Sequence, residues 1–198
     1  MIKAVIFDMF ETLVTLFEGK TYFSENVVED LGLGPQLDAY RKAWHATENN
    51  RTLGKITFTQ GIETALRALG QYSPQKVELV MKHRLAALQD TFSAIPKESV
   101  QLLQELKARG IKIGLMTNTF SDERDFIRAC ELFPYFDVPL ISYEIGICKP
   151  SQVPPFLFHT RPTAPILRLR YHFAKSCSFL NGSAAFSISP GKSLSLKS

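Results

Sequence analysis

The sequence predicts an α/β fold, a doubly wound parallel sheet interrupted early by a helical insertion. Three observations predict it. Ile2 to Phe7 (IKAVIF) is a nearly continuous apolar run ending at an acid, as in a strand buried on both faces of a parallel sheet. The stretch from about Val14 to Ile95 reads as helices alone, punctuated by Gly, Ser and Pro. After Pro96 the pattern turns to helix, strand, helix and strand, so that the strands are joined by helical crossovers and run parallel.

Within the insertion, Ser24 is positioned to cap a short helix that Gly32 and Gly34 end, and Pro35 opens a second running through Trp44. Thr59 precedes a third helix, ended by Gly70. Ser73 and Pro74 start a fourth, in which Val77, Val80, Met81, Leu85 and Leu88 recur at three- and four-residue spacing, the mark of one buried face. Beyond the insertion, Val100, Leu103 and Leu106 line a helix that reaches Gly110. Ile111 to Met116 follows as a strand, Asp122 to Leu132 as a helix and Val138 to Tyr143 as the next strand. This division leaves a core of residues 1–13 and 96–150 around a helical module at 14–95.

With 198 residues, 45% hydrophobic and 11% aromatic, the chain can bury a core. No segment approaches the roughly 18 consecutive apolar residues of a membrane span. No basic leader precedes the first strand, so the expected location is the cytoplasm, with no membrane partner. Cys130, Cys148 and Cys177 are odd in number and lack metal-ligand spacing. The net charge of +4 is unevenly spread: residues 1–150 carry 17 basic and 19 acidic side chains, residues 151–198 six basic and none acidic. Because the excess lies wholly in that tail, nucleic acid is not an expected partner. The tail also holds nine Ser and five Pro and no capped helix, and only Leu167 to Phe173 alternates as a strand would. Residues 151–198 are therefore expected to be an aberrant basic tail outside the fold of the rest. The sequence sets no oligomeric state.

Asp8 ends the first strand at the carboxyl edge of the sheet, where open α/β folds place their sites. A carboxylate there can attack carbon or phosphorus, or merely cap the following turn. Thr117 and Asn118 close the second core strand at the same edge, where a hydroxyl and an amide could hold a substrate oxyanion. Lys149 follows the third strand, and its ammonium could offset the charge of Asp8 and substrate. Separately each is an ordinary turn or surface residue. Together, three consecutive strand ends bear Asp, Thr and Lys, which no packing requirement explains. Arg41 and Arg51 of the insertion could contact an anionic substrate or belong to amphipathic helices.

In order and strand context, FDMFETL from Phe7, LMTN from Leu115 and GICKP from Gly146 resemble motifs one to three of the haloacid dehalogenase-like superfamily. The resemblance covers about residues 1–150. It implies a Rossmann-like core with an α-helical cap inserted after motif one, and a small anionic substrate, either a phosphate ester or a 2-halo acid. It makes Asp8 the nucleophile, Thr117 the residue that binds the transferred group and Lys149 the one that steadies Asp8 and the intermediate. Thr12 matches the motif-one threonine, and Phe10, Thr12 and Asn118 fall among the substrate-contacting positions.

Two departures from the pattern bear on chemistry. Phosphatases of this superfamily carry an acid two residues after the nucleophile, where this chain has Phe10. A phenyl ring cannot protonate a leaving alcohol, a contribution of about 10²–10⁴-fold, whereas halide leaves without a proton. Glu11 is the nearest alternative acid. Motif four should supply one or two aspartates beyond Lys149, yet no acid follows Glu144. A phosphatase-type chain would use Mg²⁺, with Asp8 alone left to hold it, and a dehalogenase-type chain would use no cofactor. The rival expectation is a catalytically impaired remnant, at most a binding module, with a truncated sheet.

Overall fold

Three strands, β1 (Ala4–Phe7), β2 (Lys112–Thr117) and β3 (Val138–Ile141), form one parallel sheet in the order β1-β2-β3. The computed structural model describes residues 2–16 and 22–150. These lie in the first of two units, Met1–His159; the second, Thr160–Ser198, and everything expected of the 151–198 tail fall outside the described residues. Phe7 is level with Leu115, and Thr117 is level with Ile141, so the strands end together at one edge. Central β2 buries Ile113, Leu115 and Thr117 in alternation. Gly114 between them lets β1 lie close: a side chain there would meet Ile6 Cγ1 at 3.2 Å. Val5, Ile6 and Phe7 are only half-buried, short of the two-sided cover expected of this run. The reason is topological: among the described residues β1 pairs with β2 on one side alone.

Between β1 and β2 come α1 (Ser24–Asp30), α2 (Leu37–Ala46), α3 (Glu48–Thr52), α4 (Phe58–Ala68), α5 (Pro74–Ser93) and α6 (Lys97–Ala108). Helix α7 (Ser121–Ala129) joins β2 to β3, and α8 (Ser142–Ile145) follows β3. Ser73 caps α5 as expected, its hydroxyl accepting the Lys76 N–H at 3.2 Å with Pro74 in the first position. Helix α4 starts earlier than expected, because Thr57 rather than Thr59 forms a reciprocal capping box with Gln60 at 3.1 and 2.8 Å. Ser24 is already inside α1; Phe23 occupies the cap position, its N–H satisfied by Asn26 Oδ1 at 2.9 Å.

Two apolar clusters form. One packs α6 and α7 on the sheet through Met9, Leu13, Leu103, Ile113, Leu115, Ile127 and Leu132, all nearly inaccessible. Burying each of these larger aliphatic side chains stabilises the fold by about 1.5–3 kcal/mol. The other is internal to the inserted helices and centres on Tyr40, Ile62, Ala65, Leu66 and Val80.

The inserted helices meet the remainder at several points, two of them at α8 and α7. Gly54, at φ 70°, lies against α8, where a Cβ would collide with the Tyr143 carbonyl oxygen. Arg84 of α5 is buried against α7, its Nε donating to Asp122 Oδ2 at 2.8 Å and its Nη2 to Glu123 Oε1 at 2.6 Å. Among the described residues no helix is long and apolar enough to cross a membrane.

Candidate active site

Parallel strands deliver their carboxyl ends to one edge, so residues following β1, β2 and β3 converge there. Asp8 is the first residue past β1. Its Oδ1 accepts the Met9 N–H at 2.8 Å and its Oδ2 accepts Lys149 Nζ at 2.5 Å. The ammonium thus orients the carboxylate through a charge-assisted hydrogen bond.

Thr117, the last residue of β2, is 2% exposed, and its hydroxyl has no hydrogen-bond partner among the described residues. A buried hydroxyl left unpaired costs about 1–3 kcal/mol, so an incoming oxygen or halide that accepts its proton relieves that cost. Asn118 follows immediately, but its amide is turned to the protein. Oδ1 accepts the Lys149 N–H at 2.9 Å and Nδ2 donates to the Lys149 carbonyl at 3.1 Å.

The turn after β1 closes through Leu13 and Val14 N–H groups donating to the Met9 carbonyl at 2.9 and 3.0 Å. Thr12 lies exposed on this turn, and Glu11 sits at φ 56° with its carboxylate accepting the Leu16 N–H at 2.7 Å. Phe10 belongs to the packing: its ring meets Phe92 edge-on at 6.2 Å, and Phe92 stacks on Phe126 at 5.6 Å.

The two arginines are engaged elsewhere. Arg41 of α2 pairs with Glu25 of α1 and with Asp38 at 3.7 Å. Arg51 of α3 is 1% exposed, its guanidinium lying 3.3 Å over Trp44 and 4.3 Å from the Phe120 ring centre. Its Nε donates to Thr47 Oγ1 at 2.9 Å and its Nη2 to the Trp44 carbonyl at 3.0 Å. Burial pulls its pKa down to about 10. Gly61 leaves the room for this stack, since a side chain there would collide with Arg51 Cδ. Through Phe120, which also packs 6.4 Å from Trp44, the inserted helices touch the loop that follows Thr117 and carries Asn118.

Sequence reasoning missed the supports of that loop. Ser142 Oγ accepts the Thr119 N–H at 2.9 Å, which turns the chain out of β3 into α8 where a strand through Tyr143 was expected. Glu123 Oε2 accepts the Phe120 N–H at 3.0 Å while its other oxygen holds Arg84. Burial raises the Glu123 pKa, against the lowering by Arg84, and the Asp122 charge raises it further. The Arg84 pKa is raised, the two carboxylates outweighing the opposite effect of burial. An acid at the third position of a helix, three residues after its cap, was the available signal for Glu123.

Among the described residues no three His, Cys, Asp or Glu side chains gather as a metal site would require. At the strand edge one carboxylate, Asp8, is already matched by an ammonium, and the chain has no acid beyond Glu144 to join it. A Mg²⁺ ion wants several hard oxygen donors around it, and this donor set does not fit one.

The family model for haloacid dehalogenase-like hydrolases matches residues 2–154. No curated protein matches the chain. Solved structures of similar fold include a HAD family enzyme from Bacteroides thetaiotaomicron, 18% identical, with a TM-score of 0.56 over 79% of this chain and 75% of that one. The wild-type form of that enzyme in complex with magnesium and inorganic phosphate gives 0.51 at 18% identity, over 76% and 73%. A predicted HAD-like family hydrolase from Porphyromonas gingivalis gives 0.51 at 20% identity, over 76% and 71%. At these identities the likeness to the solved structures is one of fold. The family match itself spans all three strand ends and well over half of the chain, and on that ground the chain belongs to the haloacid dehalogenase-like hydrolases.

Proposed function

We propose that the chain hydrolyses a small anionic substrate with Asp8 as nucleophile, Thr117 binding the transferred group and Lys149 steadying the carboxylate and the covalent intermediate. The observation that carries this reading is the 2.5 Å contact of Lys149 Nζ with Asp8 Oδ2, at the edge where the Thr117 hydroxyl is buried without a partner among the described residues. The inserted helices, residues 14–95, serve as a cap on a core of residues 1–13 and 96–150.

Two substrate classes suit the arrangement. With a 2-halo acid, an Asp8 oxygen bonds to C2 as halide departs with the bonding electrons. Water then cleaves the ester, releasing a 2-hydroxy acid and a proton and restoring the carboxylate. With a phosphate ester, the leaving alcohol needs a proton that Phe10 cannot give, a deficit of about 10²–10⁴-fold. Phe10 therefore favours carbon–halogen chemistry, while the magnesium and phosphate of the Bacteroides relative favour the phosphate side. Replacing Asp8 with Asn tests both at once. It should abolish p-nitrophenol release from p-nitrophenyl phosphate and chloride release from 2-chloropropionate, with an unchanged circular dichroism spectrum. Retained turnover refutes the nucleophile.

A second reading, an impaired or inactive remnant that at most binds the anion, is favoured by Phe10 packing onto Phe92 and by the absence, among the described residues, of any cluster of three His, Cys, Asp or Glu side chains. It predicts no turnover of either compound by the wild-type chain, together with saturable binding of phosphate or 2-chloropropionate.

A further inference from the structure

We infer that Asn118 is a positioning residue, whose amide grips the Lys149 backbone at two points and thereby seats the ammonium on Asp8. The catalytic consequence rests on the proposed roles of Asp8 and Lys149; the seating itself does not. Lys149 lies past α8, outside any helix or strand. Among the described residues the hydrogen bonds to its backbone come from Asn118 alone: N–H to Oδ1 at 2.9 Å, and carbonyl from Nδ2 at 3.1 Å. A carboxamide carries the donor and acceptor of a peptide group, so it pairs with both backbone groups of one residue as a neighbouring strand would.

The ladder between β2 and β3 ends at Thr117 and Ile141. One residue past that ladder, the Asn118 side chain takes hold of Lys149, which lies beyond both β3 and α8. Thr119 is held too, by its N–H on Ser142 Oγ at 2.9 Å. Lysine carries a flexible four-carbon stem with about 2 kcal/mol of rotamer entropy. Fixing the start of that stem limits where its tip can reach, and the tip is found 2.5 Å from Asp8 Oδ2. An amide that served the substrate would be left without a protein partner, as the Thr117 hydroxyl is among the described residues; instead both polar atoms of Asn118 are engaged by Lys149.

The test reads the Lys149 ammonium directly in full-length protein labelled with ¹⁵N-lysine, its Nζ resonance identified by its loss in Lys149→Met. In the wild-type background, Asp8→Asn should shift that resonance and speed exchange of its protons. In an Asn118→Ala background the same Asp8 change should move it little, because the pair is already dispersed. Asn118→Asp is the second variant should Asn118→Ala not fold: it keeps the shape and the acceptor for the Lys149 N–H, loses the donor, and should show a partial loss of response. An equal response to Asp8→Asn with and without Asn118 overturns the inference. So does a raised KM in Asn118→Ala with an unmoved Lys149 signal, which would give the amide to the substrate. Turnover surviving in Asp8→Asn would remove the nucleophile reading alone, since the resonance reports the seating independently.

Discussion

Asp8 and Lys149 stand 141 positions apart in the chain, yet their side chains meet at 2.5 Å. That meeting was legible because each follows a strand of recognisable pattern, and parallel strands bring their ends together whatever the intervening length. The partners of Asn118 and Arg51 were not legible, since hydrogen bonds to a loop backbone and aromatic faces over a guanidinium leave no periodic trace. The buried ion triad was nearly as silent, its one trace being the acid Glu123 near the start of α7. Its consequences are testable: Arg84→Met leaves Asp122 and Glu123 buried without their cation, and should destabilise the fold by about 3–5 kcal/mol in urea titrations. Glu123→Gln keeps an acceptor for Arg84 and should cost less. The sign of the pH effect follows from burial. The folded pKa of Glu123 lies above its ordinary value of about 4.3, so ionisation favours the unfolded chain, and stability from this group falls as pH rises from there through the raised value. The Gln variant should lack that part of the pH dependence.

Asp137, one residue before β3, shows the opposite sign. It ties three elements: Oδ2 accepts the Ile113 N–H at 2.8 Å and Lys107 Nζ at 2.8 Å, while Oδ1 holds Lys112 at 3.2 Å. Burial raises its pKa, but these hydrogen bonds outweigh burial and leave it below the ordinary carboxylate range. The stabilisation is present above the unfolded value of about 3.9 and is lost as pH falls through the folded one. Asp137→Asn should therefore cost about 1–3 kcal/mol at pH 7 and progressively less below pH 4, read by chemical denaturation at both. Among elements, the strands and α5 were plain from apolar spacing and a Ser-Pro start. Helix α3 was not, because Glu48 to Thr52 has no apolar period and is held by Arg51 between aromatic rings. Gly54→Ala tests how α3 sits on α8. Left-handed backbone costs a non-glycine residue about 1–2 kcal/mol, and the collision with the Tyr143 carbonyl adds to it, so the loss in melting stability should exceed that strain alone.

At the scale of the molecule, the α/β class was readable from strand and helix grammar, as was the run of helices that lies between β1 and β2. The half-exposed faces of β1 were not readable, since apolar content reports what a strand could bury rather than what lies beside it. Because Asp8 stands as one carboxylate matched to one ammonium, millimolar Mg²⁺ should leave the melting temperature unchanged; a clear rise would mean that donors are recruited from outside the described residues. The chain has a single tryptophan, and Trp44 lies where Arg51 of the insertion and Phe120 of the β2 loop converge. Indole emission depends on the charge and polarity around the ring, so this protein carries its own optical gauge. Movement of the inserted helices away from the strand edge would separate Trp44 from Phe120 and admit water to its ring. Titrating phosphate or 2-chloropropionate while following the emission of that one residue would therefore report any such movement on binding, with no attached label.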